Sequence, residues 1–170
     1  MFPGQVKSRI DSGCFSSVAV YQDHVYAARH SSDEVLVYKH SGGWKKVHSF
    51  NVIRGFTMLS VQNNQLKCCS SGEKKIAVYS LTGQLLQTHG SKGSGDAGQF
   101  DGPYICDDDD DGSVLIADWG NNRLQGMSEQ GDFSVLQLKP PVSRPRGAVL
   151  FNNNLYVTSA SNKTVYKYSC

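Results

Sequence analysis

Four segments of this chain align with one another without a gap, and no other feature restricts its fold so strongly. They are His24 to Gly42 (HVYAARHSSDEVLVYKHSG), Gln65 to Gly83 (QLKCCSSGEKKIAVYSLTG), Ser113 to Gly131 (SVLIADWGNNRLQGMSEQG) and Asn154 to Cys170 (NLYVTSASNKTVYKYSC). Their first residues stand at 24, 65, 113 and 154, giving spacings of 41, 48 and 41. A repeat of this period is one supersecondary unit that buries its apolar face only against its neighbours, so the copies must stack.

The aligned columns say what the unit is. Val25, Leu66, Val114 and Leu155 open it, Val35, Ile76, Leu124 and Val165 follow ten residues later, and Tyr38, Tyr79, Met127 and Tyr168 three beyond that. Two runs rich in Val, Ile, Tyr and Thr flank a polar turn, the pattern of a β-hairpin. A further strand precedes each hairpin, at Ser17–Tyr21, Thr57–Val61, Tyr104–Asp108 and Gly147–Phe151, across turns at Gln22-Asp23, Asn63-Asn64, Asp111-Gly112 and Asn152-Asn153. A fourth strand follows the first three hairpins, at Trp44–Phe50, Gln84–Thr88 and Asp132–Leu138. No segment carries a 3.6-residue apolar period. The expectation is an all-β propeller of four-stranded antiparallel blades, one domain over residues 1–170, with blades near 14–50, 51–89, 90–138 and 139–170. The last unit lacks a fourth strand, and the N-terminal strand at residues 5–10 is expected to complete it and close the ring.

In the third unit, GQFDGP followed by DGSVLIADWGNNRLQ resembles the NHL repeat, the blade of NHL β-propellers. The fourth unit, PRGAVLFNNNLYVTSASNKTVYKY, keeps that spacing. The resemblance implies a recognition domain like those of tripartite-motif ubiquitin ligases and Brat-like translational repressors, some of which bind RNA. It also implies six blades as the usual ring, against the four counted here. Of the family signature only Asp118, Asn121, Asn122 and Arg123 match in full. The residues equivalent to Asp118 are Arg29, Ser70 and Ser159.

Charge points to a binding face. Eight acids lie between Asp96 and Asp118 with no Lys or Arg among them, which leaves seven of the 15 acids to set against 17 basic residues elsewhere. Arg54, Lys74, Lys75, Trp119, Asn121, Asn122, Arg123, Arg144, Arg146 and Lys163 are expected on one mouth of the ring, which docks a partner protein. Single-stranded RNA is the alternative occupant, held by phosphate contacts and stacking. The aspartate turn, Asp23, Glu129 and Asp132 fall on the opposite mouth.

The remaining chemistry is thin. Asp107, Asp109 and Asp111 before Gly112 follow the opening of a calcium loop, but Leu115 stands where another oxygen ligand belongs, so an acidic turn is the preferred reading over a metal-binding or enzymatic propeller. The five histidines share no column, and no nucleophile motif occurs, so neither enzyme activity nor a cofactor is expected. Five cysteines without a paired spacing read as free thiols in a reducing, cytoplasmic setting. No signal peptide, membrane span or DNA partner is expected.

Overall fold

The computed structural model describes residues 9–30, 32–108 and 111–169. The strands are β1 (Phe15–Tyr21), β2 (His24–Arg29), β3 (Glu34–His40), β4 (Trp44–Asn51), β5 (Phe56–Gln62), β6 (Gln65–Ser70), β7 (Lys75–Ser80), β8 (Leu85–His89), β9 (Ser91–Lys92), β10 (Gln99–Phe100), β11 (Pro103–Asp108), β12 (Val114–Asp118), β13 (Arg123–Met127), β14 (Phe133–Val135), β15 (Pro145–Phe151), β16 (Asn154–Ser159) and β17 (Thr164–Ser169). Three antiparallel meanders, β1 to β4, β5 to β8 and β11 to β14, are followed by a three-stranded one, β15 to β17. Every strand expected from the repeat is present, with β14 shorter than expected. One pairing lay outside the expectation. The glycine-rich connection between the second and third sheets folds back on itself as the parallel pair β9 and β10.

Local conformation explains the turns. Asn63, Asn64, Asn152 and Asn153 all have positive φ, as two-residue hairpin turns require. In the second hairpin of every unit the same position is left-handed: Asp33, Lys74, Asn122 and Lys163 have φ of 49°, 57°, 55° and 52°. Lysine gains nothing there to offset the steric cost, whereas asparagine visits this region readily. Lys163→Asn is therefore expected to raise stability by roughly 1 kcal/mol, read from the urea midpoint.

Successive sheets stack face to face. Ala28, Val35 and Val37 of the first sheet meet Leu59, Val61, Leu66 and Tyr79 of the second. Cys69 and Ile76 meet Ile105, Val114, Ile116 and Met127 of the third, and Ala117 and Leu124 meet Ala148, Leu155 and Val157 of the fourth. Adjacent Cys68 and Cys69 thus point to opposite faces of β6, each into a different junction. Inner strands touch directly: Ser17 Oγ lies 3.2 Å from the Leu59 N–H, and the Leu150 N–H donates to Asp107 at 3.3 Å. A bulge at Cys106 between Ile105 and Asp107 re-aims the end of β11.

Ring closure by an N-terminal strand is not among the described pairings. Residues 5–8 lie outside the described residues, and Arg9 and Ile10 form no strand. Ile10 packs instead on Val25, Ala27, Leu36 and Tyr38 of the first sheet, an apolar face that no other sheet among the described residues covers. Beside it the Tyr38 hydroxyl donates to Asp11.

Burial, and then this bond to Asp11, pushes Tyr38 up to about 12, and burial first, with Cys68 and Glu73 nearby, does the same to Tyr79. Both folded values exceed the ordinary tyrosine value near 10, so their stabilisation is complete below about pH 10 and disappears as pH rises through about 12. Alkaline titration followed by tyrosinate absorbance should show part of the signal delayed in the folded chain relative to the urea-unfolded chain. Superimposable curves would contradict the burial of these rings.

Candidate binding edge

One edge of the stacked sheets is built by a hydrogen bond repeated in all four units. The turn residue six positions into each unit donates its N–H to the connection entering the same sheet. These pairs are His30 to Cys14 O at 2.9 Å, Ser71 to Gly55 O at 3.2 Å, Trp119 to Gly102 O at 3.2 Å and Ala160 to Arg144 O at 3.1 Å. The preceding column reinforces it. Ser70 Oγ donates to Arg54 O and Ser159 Oγ to Ser143 O, both at 2.6 Å, while Asp118 accepts from the Asp101 N–H at 2.8 Å. The signature aspartate and its serine replacements therefore do one job, tying the hairpin to the entering chain.

Asp118 does more than the serines. Its second carboxylate oxygen accepts from Arg123 Nε at 3.1 Å, Asn121 Nδ2 at 2.8 Å and Gln125 Nε2 at 3.0 Å. Arg123 spends its remaining donors on the carbonyls of Gly95, Asp96 and Gln99, and Asn121 reaches Gly93 O. The Gly98 N–H completes the set on Gln125 Oε1 at 2.8 Å. These side chains clamp the glycine-rich connection against the third sheet. Asn121 and Arg123, expected to bind a partner, are turned inward and engaged with backbone.

The outward-facing cations gather where the third and fourth sheets meet. The Arg144 guanidinium lies 4.8 Å from the centre of the Trp119 ring, and Arg146 lies 5.5 Å from that of Tyr104. Asn122 Oδ1 accepts from the Arg144 N–H at 2.9 Å and from Ser143 Oγ at 3.3 Å, which sets the loop carrying Arg144. Lys139, on the connection between β14 and β15, and Lys163, in the turn between β16 and β17, are exposed. None of these four cations is in an ion pair among the described residues. Asn122 and Arg123 also line a cleft of about 170 Å³ with Leu138, Pro141 and Val142. Trp119 Nε1 is buried without a hydrogen-bond partner.

Elsewhere the edge is more mixed than the charge count led us to expect. Arg54 is exposed and Lys75 half-buried, but Lys74 is paired with Asp101 at 2.8 Å, which holds that carboxyl below the usual carboxylate range. Asp33, Glu34, Glu73 and Asp96 sit on the same connections. Asp33 accepts from the Gly55 N–H at 2.8 Å, and Glu34 lies 3.6 Å from Arg29. Arg29 and Lys74 are thus paired with acids, whereas Arg144 and Arg146 of the fourth unit are not, among the described residues.

On the opposite edge, Asp111 accepts from the Ser113 N–H at 2.8 Å, and Asp107 is engaged by the fourth sheet. Asp109 lies outside the described residues. Among the described residues no three His, Cys, Asp or Glu side chains converge as a metal cluster. The sequence reading also missed Lys67, buried and donating to Gly112 O at 3.1 Å across the second junction. Among the described residues no helix is long and apolar enough to cross a membrane.

By sequence, no family model and no curated protein matches the chain. By structure it is similar to streptogramin B lyase, at 18% identity and TM-score 0.65, over 96% of this chain and 56% of that one. It is similar to the computationally designed Ika4 protein, at 11% identity and TM-score 0.67, over 97% and 95%. It also resembles an auxiliary nutrient binding protein from Bacteroides ovatus, at 14% identity and TM-score 0.72, over 90% and 47%. The chain spans about half the length of the first and third. At these identities the fold alone is shared. The chain is an all-β protein with a propeller-like fold.

Proposed function

We propose that this chain is a non-catalytic recognition module of the NHL type, which docks an acidic segment of a partner protein on the edge formed by its third and fourth units. The observation that carries this reading is the pair of arginines held over the Trp119 and Tyr104 rings, 4.8 Å and 5.5 Å from their centres. A guanidinium held on a ring has lost much of its freedom before binding, so less is lost when it grips a carboxylate in its fork. Lys139 and Lys163 add attraction at longer range. The serving role is substrate recognition within a tripartite-motif-like ubiquitin ligase in the cytoplasm.

Two features favour a non-catalytic reading. The buried Asp118–Arg123 pair is spent on backbone, and burial pushes the thiol of Cys68 up and that of Cys106 up to about 11, which keeps both protonated and poorly nucleophilic. Single-stranded RNA is the second reading, favoured by Arg144 and Arg146 on their rings and by exposed Lys139 and Lys163 on neighbouring connections, none of the four in an ion pair among the described residues. Arginines already cover the Trp119 and Tyr104 rings, so base stacking would have to displace them, and protein comes first.

The test compares the immobilised chain with a variant carrying Lys139→Glu, Arg144→Glu, Arg146→Glu and Lys163→Glu, each with and without ribonuclease. Proteins captured by the parent, lost with the variant and indifferent to ribonuclease are the expected result. Capture that vanishes with ribonuclease favours RNA. Equal capture by both chains removes this edge from the account.

A further inference from the structure

A cleft between the first and second sheets, on the edge opposite the arginines, is lined unlike the matching place at the next junction. It measures about 310 Å³ and is walled by the rings of Tyr21, His24, Tyr26 and His48, with Val37 and Leu81. Strand register sets Tyr26, Val37 and His48 in one row across β2, β3 and β4. The matching row of the second sheet is Lys67, Val78 and Gln87, and Gln65 stands in the place of His24. There the Lys67 ammonium crosses the junction to the Gly112 carbonyl. The repeat therefore does not demand the tyrosines and histidines of the first cleft. A bulge at Val47, between the pairs Val37–His48 and Tyr38–Lys46, lets Val47 and His48 line the cleft together although they are neighbours in the strand.

Each histidine is oriented by a bond at one ring nitrogen that leaves the other with a lone pair. His24 Nδ1 lies 2.7 Å from Asp23 Oδ1, which accepts its N–H. His48 Nε2 lies 3.0 Å from the Thr82 carbonyl oxygen, which only accepts. In the neutral rings the lone pairs therefore fall on His24 Nε2 and His48 Nδ1. Lys39 also meets Asp23, at 3.1 Å, so that carboxylate is answered within the protein. Tyr26 stands beside His24 with ring centres 6.4 Å apart, and its hydroxyl has no hydrogen-bond partner among the described residues.

We propose that this cleft binds a small neutral phenol, an aromatic ring system carrying a hydroxyl group. A hydroxyl donates and accepts at once, so it donates to His24 Nε2 and accepts from the Tyr26 hydroxyl. The ring system packs on Tyr21, Val37, Val47 and Leu81, where aromatic and apolar contact hold it. The size suits this class, since an apolar cavity of about 150 Å³ holds benzene and this cleft has room for one or two fused rings. No Lys, Arg, Asp or Glu lines the cleft, so an ionised ligand would leave its charge unmatched there. A sugar carries hydroxyls on every side, more than the apolar wall pairs. The site is separate from the edge proposed to dock a partner and does not depend on it.

Titration of the whole chain with 2-naphthol, followed through the histidine ring resonances, tests this. Saturable binding is expected, with the His24 and His48 signals shifting and those of His30 and His89 unmoved. Naphthalene, which lacks the hydroxyl, should bind the parent chain about tenfold more weakly than 2-naphthol. His24→Phe, which keeps a ring but lacks the acceptor, should weaken 2-naphthol by about the same factor. Val47→Trp fills the cleft from a position that is 53% exposed, so it should abolish binding and leave the urea midpoint unchanged. A parent chain with no saturable binding of 2-naphthol overturns the proposal. So do equal affinities for naphthalene and 2-naphthol, a His24→Phe chain that binds as the parent does, or shifts confined to His30 and His89.

Discussion

Asp118→Ala is expected to remove about 3–5 kcal/mol of stability. The carboxylate is completely buried, and its loss strands four donors at once: the Asp101 N–H, Asn121, Gln125 and the Arg123 guanidinium. An uncompensated buried cation is costly, and a domain's whole stability is only about 5–15 kcal/mol. Asp118→Ser should fall between alanine and the parent. Serine can still meet the entering chain, as Ser70 and Ser159 do, but it cannot reach Arg123. The pairing itself is measured by the double-mutant cycle with Arg123→Ala, where the two losses should be non-additive by more than 1 kcal/mol, a coupling within the range of contacting residues. Chemical denaturation of the four chains reads all of this. Additive losses would mean that Asp118 and Arg123 act separately.

The second large effect is a contrast within one repeat column. Leu124→Ala should cost about 2–5 kcal/mol, since Leu124 is fully buried between the third and fourth sheets and its removal leaves a cavity in that junction. Val165→Ala, at the aligned position of the fourth unit, should cost less than about 1 kcal/mol, since its side chain is 64% exposed and only strand propensity is lost. Urea midpoints of the two variants at low protein concentration decide the matter. Equal losses would show that Val165 is covered by something within its own chain.

These contrasts mark how far the sequence could be read. Spacing and apolar columns were enough to locate the hairpins, the strands before them and the order of stacking, because those features follow from period-two burial and turn chemistry. The left-handed column of Asp33, Lys74, Asn122 and Lys163 escaped notice, since two of its four residues carry no preference for that conformation. The β9 and β10 pair escaped because it rests on long-range bonds from Arg123 and Gln125 rather than on local pattern. The exposure of Val165 was invisible for a similar reason. Val165 looks the same as Val35 in sequence, and among the described residues only the presence or absence of a neighbouring sheet separates them.

The candidate edge was legible as a concentration of basic residues, and less so in its parts. Arg123 and Arg144 are equally basic, yet one is drawn inward by a buried carboxylate and the other is laid outward on a tryptophan. Asp101 and the acids of the first two units dilute charge that the unpaired count had assigned to the whole face. What remains is a smaller patch, Arg144, Arg146, Lys139 and Lys163, supported by Trp119, Tyr104 and Asn122.

Lysine reactivity in a captured complex tests the claim that this patch is where a partner docks. Acetylation is followed by mass spectrometry on the free chain and on the chain bound to a protein it has captured. Lys139 and Lys163 should lose reactivity on binding, while Lys45 and Lys46, exposed at the start of β4 beside the β3–β4 turn on the opposite edge, keep theirs. Protection of Lys45 and Lys46 with Lys139 and Lys163 still fully reactive would place the partner on the other edge and contradict the account.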